Sequence, residues 1–136
     1  MSEFRPCALV PTFDNPATVR GVVERLREHL VDILVVDDGS GAAGREACAS
    51  LQREGLASVL HLPHNRGKGA AMKEGFALLQ QRGFTHAMQV DADGQHDLAA
   101  VPEFLRAAAA ARQALVLGYP LYDHTVPTVR LKLRKL

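Results

Sequence analysis

The stretch Ile33-Leu34-Val35-Val36-Asp37-Asp38-Gly39-Ser40 decides the fold. Its four apolar residues, three of them β-branched, read as a strand buried on both faces, since a strand with one wet face would alternate. The aspartates, glycine and serine that follow stop the strand in a loop. A strand with no polar side needs cover above and below, and helices supply it in a parallel sheet.

The same unit recurs on either side. Upstream, Cys7 to Val10 is a short apolar run ending at Pro11, and Asn15 with Pro16 reads as a helix cap followed by proline at the first helical position. Val19, Val22, Val23, Leu26 and Leu30 then fall at helical spacing, with Arg20, Glu24, Arg25, Arg27 and Glu28 mostly on the other faces. Downstream, Arg45 to Glu54 is a second helix closed by Gly55, and Ser58 to Leu62 a third strand. A polar loop from Pro63 to Gly69 leads to a helix with Met72, Phe76 and Leu79 on one face and Gly83 at its end. Thr85 to Val90 is a fourth strand. An alanine-rich helix follows, opening either at Asp97 or at Pro102 and ending near Arg112, and Ala114 to Leu117 is a fifth strand. Val129 to Leu136 alternates apolar and basic residues as a strand does, yet also fits one helical face. The expected fold is α/β: a Rossmann-like, mainly parallel sheet flanked by helices.

At 136 residues the chain has room for one domain with a real core. A formal net charge of +1 gives no global field for nucleic acid, so local charges must carry function. No run approaches the roughly 20 apolar residues of a membrane span, and the start, Met-Ser-Glu-Phe-Arg-Pro, lacks a signal peptide's apolar core; a cytoplasmic location is expected. Cys7 and Cys48 stand in no metal or redox spacing and read as small buried hydrophobes.

In an open parallel sheet the loops after the strands' carboxyl ends converge, so polar clusters there are the site candidates. Four qualify: Pro11 to Pro16, Asp37 to Ser40, His64 to Gly69 and Asp91 to Asp97. In VDADGQHD, Asp91 and Asp93 flank a small residue and can turn two carboxylates toward one hard cation, magnesium or manganese, with Gln95 adding a neutral oxygen. The plain structural alternative is a solvated acidic turn with Asp97 capping the next helix. His96 and Asp97 read as supporting residues rather than ligands. The loop is no EF-hand, because Gly94 comes too early and the twelfth position is Pro102. In VVDDGS, Asp37 and Asp38 can accept hydrogen bonds from a base or ribose hydroxyl, or simply make an Asp-Gly-Ser turn. In HNRGKG, Arg66 and Lys68 lie between glycines at a helix start, an arrangement suited to phosphate. It is no Walker loop, and the absence of GxGxxG after the first strand disfavours a nicotinamide or flavin.

Taken in order, PTFDNP, VVDDGS, NRGKGAA and DADGQHD resemble the N-terminal portion of family 2 glycosyltransferases, over roughly Ala8 to Gly118. The resemblance implies the GT-A fold and transfer of a sugar, with inversion, from a nucleoside diphosphate sugar to an acceptor such as a lipid or polyprenyl phosphate or a glycan. It implies that Pro11, Phe13 and Asp14 lie near the nucleotide, Asp37 or Asp38 on the base or ribose, and Arg66 and Lys68 toward the nucleotide or its phosphates. Asp91 would touch the sugar nucleotide or the metal, and Asp93 and Gln95 would be metal ligands. Residues 1–136 would then be one domain cut short, with 1–118 binding the donor, 119–136 opening the acceptor side, and the catalytic base beyond the chain's end. Gly118-Tyr119-Pro120 departs from the Gly-Ser-Arg of the polyprenol-phosphate branch.

Two other classes compete. Asp-Ala-Asp-Gly after a strand also resembles the nucleophile loop of haloacid dehalogenase-type phosphatases, with Asp91 as nucleophile and Asp93 as acid, although no later acidic pair completes that site. The third is a non-catalytic nucleotide-binding fragment. The basic, apolar tail from Arg130 to Leu136 reads foremost as a cut helix, with contact to the inner face of an anionic membrane as the rarer alternative.

Overall fold

The computed structural model describes residues 3–118. Strand β1 (Pro6–Thr12) is followed by α1 (Val19–Leu26), β2 (Ile33–Asp38), α2 (Ala42–Arg53), β3 (Ser58–Leu62), α3 (Lys68–Gln81) and β4 (His86–Gln89). A single 3-10 turn, Leu98–Ala100, then runs into α4 (Val101–Ala110). The sheet has the order β3-β2-β1-β4, with every pair parallel. This is the α/β architecture expected from the alternation of apolar runs and amphipathic stretches.

The order follows from chirality. Crossovers between parallel strands are right-handed, so β1, β2 and β3 can step one way across the sheet only with α1 and α2 on the same face. The return from β3 past two strands to β4 reverses direction and therefore puts α3 on the opposite face. Strand alternation agrees. Ala8, Val10, Ile33 and Val35 pack with Val19, Val22, Val23, Leu26, Cys48 and Leu51 on one side, while Cys7, Leu9, Leu34 and Val36 pack with Ala71, Met72 and Leu79 on the other. Burial pushes both thiols, Cys7 and Cys48, up to about 12, leaving them inert in the core.

Four details depart from the sequence reading. First, α1 opens at Val19, not at Asn15-Pro16, because the Asn15 side chain already accepts from Thr12 Oγ1 (2.9 Å) and Phe13 N (3.3 Å); only its carbonyl reaches Thr18 and Val19. Second, α2 begins at Ala42, ahead of Arg45, its start braced from another loop by Asp14, whose Oδ1 accepts from Gly41 N at 2.8 Å. Third, Phe76 is exposed, because Gly75 takes the inward position: a Cβ there would lie 2.6 Å from Leu9 Cδ1. Fourth, Ala114 to Leu117 forms no strand. The Ala114 N–H turns back to the Ala111 carbonyl, and Leu115 and Leu117 are 83% and 77% exposed, with no ladder partner among the described residues to hold them extended. The tail from Val129 to Leu136 lies outside the described residues.

Leu9→Ala should lower stability by about 2–5 kcal/mol, read from the urea midpoint, as for other fully buried leucines. Adding Gly75→Ala should recover part of that loss, because the new methyl enters the space Leu9 vacates.

Candidate functional site

Parallel pairing brings all four polar clusters to one edge of the sheet, and hydrogen bonds tie them into a closed circuit. From the loop after β1, Asp14 N donates to Ser40 Oγ (3.0 Å) and Asp14 Oδ1 accepts from Gly41 N, joining it to the loop after β2. From the end of β2, Asp38 Oδ1 accepts from Arg66 N (2.9 Å) and Oδ2 from Gly67 N (2.9 Å) and Asn65 Nδ2 (3.2 Å), joining the loop after β3. Lys68 Nζ donates to Asp91 Oδ1 at 2.5 Å, joining α3 to the loop after β4. Thr18 Oγ1 donates to the Ala92 carbonyl at 2.6 Å and returns the circuit to the first loop. Thr18 holds the N-cap position of α1 yet makes no side-chain cap; its hydroxyl serves the peptide between Asp91 and Asp93 instead.

Two backbone features permit this closeness. Gly39 has φ 73°, and a Cβ on it would stand 2.3 Å from Asn65 N, so only glycine lets the second and third loops touch. Asp14 sits at φ 53°, a left-handed conformation that aspartate tolerates better than most residues, and its two bonds to the neighbouring loop hold it there.

The aspartates of β2 are interior. Asp37 is 0% exposed, with Oδ1 accepting from Ser40 N (3.0 Å) and Oδ2 from His61 Nδ1 (2.7 Å). Burial works to raise its pKa, but the hydrogen bonds from Ser40 and His61 outweigh it and hold the carboxyl below the ordinary range. Asp38 is likewise buried and engaged on both oxygens. Because Asp38 takes the N–H groups of Arg66 and Gly67, what the loop turns outward is the side chains of Arg66 and Lys68. The Arg66 guanidinium lies 3.6 Å from Glu74, and the amine of Lys68 is on Asp91. Pro11 is buried at the end of β1, whereas Phe13 beside it is half exposed.

In the last loop, Asp91 is surrounded by donors: Lys68 and Gln89 (3.3 Å) on Oδ1, His96 Nε2 (3.1 Å) on Oδ2. Burial again pushes its pKa upward, and the bonds from Lys68 and His96 win and lower it. Asp93 and Gln95 are exposed, with Asp93 Oδ1 accepting from Gln95 N (3.0 Å), and Asp97 caps the 3-10 turn through Ala99 N. Among the described residues no three His, Cys, Asp or Glu side chains converge as a metal cage. The donor chemistry nevertheless fits a hard cation that takes most of its ligands from water and phosphate, for which one or two carboxylates suffice. The circuit closes between β1 and β4, the strands flanking the reversal of strand order, where open α/β sheets bind ligands. A cleft of about 230 Å³ lies at the opposite edge, beside Arg5, Asp32 and Arg82; there Arg5 is spent on the carbonyls of Arg82 and Gly83 and on the face of Phe84.

Sequence reasoning missed Thr18, His61 and Asn65. His61 had a signal, as a polar residue in the apolar run SVLHL whose parallel register sets it opposite Asp37. Thr18 had none, because its partner lies 74 residues away, and Asn65, although inside the His64 to Gly69 cluster, was not distinguished from its neighbours because its partner lies 27 residues away.

A family model described as glycosyl transferase family 2 matches residues 7–134. No curated protein sequence matches the chain. Among solved structures, the mannosyltransferase PcManGT from Pyrobaculum calidifontis, in complex with GDP-Man and Mn2+, is similar with TM-score 0.55 and 19% identity, over 68% of this chain and 28% of that one. S. aureus TarS 1-349 is similar with TM-score 0.58 and 18% identity, over 87% of this chain and 39% of that one. The same fragment in complex with UDP gives TM-score 0.55 and 17% identity, over 78% and 33%. At these identities the likeness shows the fold, and the chain spans well under half the length of each neighbour.

Gly39→Ala should cost about 2–5 kcal/mol, a left-handed backbone penalty added to a backbone clash. The buried Asp37 makes a prediction about pH. Its carboxyl is held below the unfolded value, so its contribution is complete above the ordinary carboxylate range and is lost as pH falls through the depressed value. Urea unfolding followed from pH 7 down to about pH 3 should show a steep loss in the parent. Asp37→Asn should be weaker at pH 7 and lose less on acidification.

Proposed function

The chain belongs to glycosyl transferase family 2, and on that premise we propose that it forms the donor-binding portion of a metal-dependent, inverting enzyme that transfers a sugar from a nucleoside diphosphate sugar. The observation that carries this reading is the meeting of Lys68 with the Asp91 loop at the reversal of strand order: a cationic group and a pair of carboxylates, side by side, are what a metal-bound diphosphate requires. Family membership removes the phosphatase alternative.

Pro11, Phe13 and Asp14 border the nucleotide, with the exposed ring of Phe13 offering a face to the base. Asp37 and Asp38 stand at the base and ribose end, where they fix Ser40 and the 65–67 backbone that leads the side chains of Arg66 and Lys68 toward the ligand. Arg66 and Lys68 meet the phosphates. Asp91, Asp93 and Gln95 would hold manganese or magnesium, which when bound would neutralise charge growing on the departing diphosphate. The neighbours' GDP-Man, UDP and Mn2+ support a nucleoside diphosphate donor and a divalent cation. The acceptor is a lipid or polyprenyl phosphate or a glycan; an ionised phosphate would attack without a strong base. Among the described residues no helix is long and apolar enough to cross a membrane.

A panel of nucleoside diphosphates, each with and without manganese, tests this by thermal unfolding. One of them should raise the Tm by several degrees only with metal, since saturation at a hundredfold excess over Kd is worth about 2.7 kcal/mol. Asp93→Ala should abolish that rise. Stabilisation by none of them would overturn the reading, and metal-dependent stabilisation without transfer or donor hydrolysis would favour a binding fragment.

A further inference from the structure

The Lys68–Asp91 contact carries a consequence for the order in which ligands arrive. We infer that Lys68 and a divalent cation compete for Asp91, and that a donor's diphosphate decides the competition by drawing Lys68 away. This rests on the donor-site reading above.

The argument starts from the occupancy of Asp91. Both its oxygens are engaged: Oδ1 by Lys68 at 2.5 Å and Gln89 at 3.3 Å, and Oδ2 by His96 at 3.1 Å. Asp93 differs, since it is exposed and its Oδ1 accepts from the N–H of Gln95 within its own turn. A cation recruited to this loop can therefore approach Asp93 directly but reaches Asp91 only against the ammonium group. Two positive charges on one carboxylate oxygen repel each other, and that repulsion is strengthened where the carboxylate is partly out of water. The Lys68 side chain is 54% exposed and that of Asp91 31%, so the pair sits at the margin of the protein, where a long flexible side chain can swing without disturbing packing.

The backbone beneath Lys68 cannot follow that swing. Asp38 fixes the N–H groups of Arg66 and Gly67, the two residues just before it, and Lys68 opens α3. Because those amides are committed, the side chain is the means by which this helix start meets a phosphate. An ammonium group has three donors and no acceptor, and a diphosphate offers it more negative charge than one carboxylate does. Once Lys68 has turned to the diphosphate, Asp91 regains a free lone pair on Oδ1 and the local positive charge is neutralised. Metal affinity must then be low before the diphosphate binds and high after it, and by linkage the metal must raise diphosphate affinity by the same factor. Lys68 is thus a determinant of metal affinity as well as a phosphate contact.

The test is a manganese titration of the full chain, with free Mn2+ counted by electron paramagnetic resonance, on the parent, Lys68→Met and Lys68→Arg. With Mn2+ alone, Lys68→Met should bind at least about fivefold more tightly than the parent, a modest coupling for adjacent sites, while Lys68→Arg should stay close to the parent. Repeating the titration with GDP and with UDP, corrected for metal held by the nucleotide in solution, should show a large gain for the parent with the nucleotide that binds, and a much smaller one for Lys68→Met. Equal or weaker manganese binding by Lys68→Met, or no uptake at all, overturns the inference. Asp91→Asn and Asp93→Ala separate the two levels of failure. If both leave manganese uptake unchanged, the metal-site reading itself is wrong; if both reduce it while Lys68→Met has no effect, only the competition is wrong.

Discussion

Asp37 and Asp38 leave water together at the end of β2, and each must replace its lost hydration with protein donors. Strand alternation turns them to opposite faces, so they draw on different neighbours: Asp37 on Ser40 and on His61 from β3, Asp38 on the backbone that leads into α3. The shape of the carboxyl edge depends on this. Packing of Val36 against Ala71 and Met72 holds α3 on the sheet, and the Asp38 bonds fix the backbone at its start, which gives the side chain of Lys68 a fixed base from which to reach the last loop. A pair of residues that looks like a ligand-binding motif therefore also performs the local work of positioning the residues that would touch a ligand.

The fold was legible because its determinants are local and repeated. Runs such as Ile33 to Val36 and Ser58 to Leu62 have a composition that few other structures accommodate, and the helical spacing of Val19, Val22, Val23 and Leu26 maps directly onto the buried face of α1. Reading failed where a distant group intervened. The start of α2 is braced by Asp14 from the loop after β1, and the inward position on α3 goes to Gly75 because Leu9 of β1 needs the space. Ala114 to Leu117 has the residues of a strand but no partner strand among the described residues, and partnership is not a property of a tetrapeptide.

For the candidate site the division is similar. That four polar clusters would share one edge follows from parallel pairing alone, and the sequence contained it. What each carboxylate does with its oxygens was not there to be read, since the partners of Asp38, Asp91 and the Ala92 carbonyl come from other loops. Residue type announces chemical capacity; the assignment of that capacity to packing or to a ligand is made by tertiary neighbours.

The circuit of ties around the carboxyl edge has a consequence for tolerance. In an open chain of four loops, cutting one link separates the loops into two groups that can drift apart. In a ring, each loop keeps a second route to every other, so parting one link leaves three in series and the edge still assembled. The ionic link between Lys68 and Asp91 can therefore open and close without cost to the scaffold, and the edge can be rigid as a whole while one of its joints remains free to work.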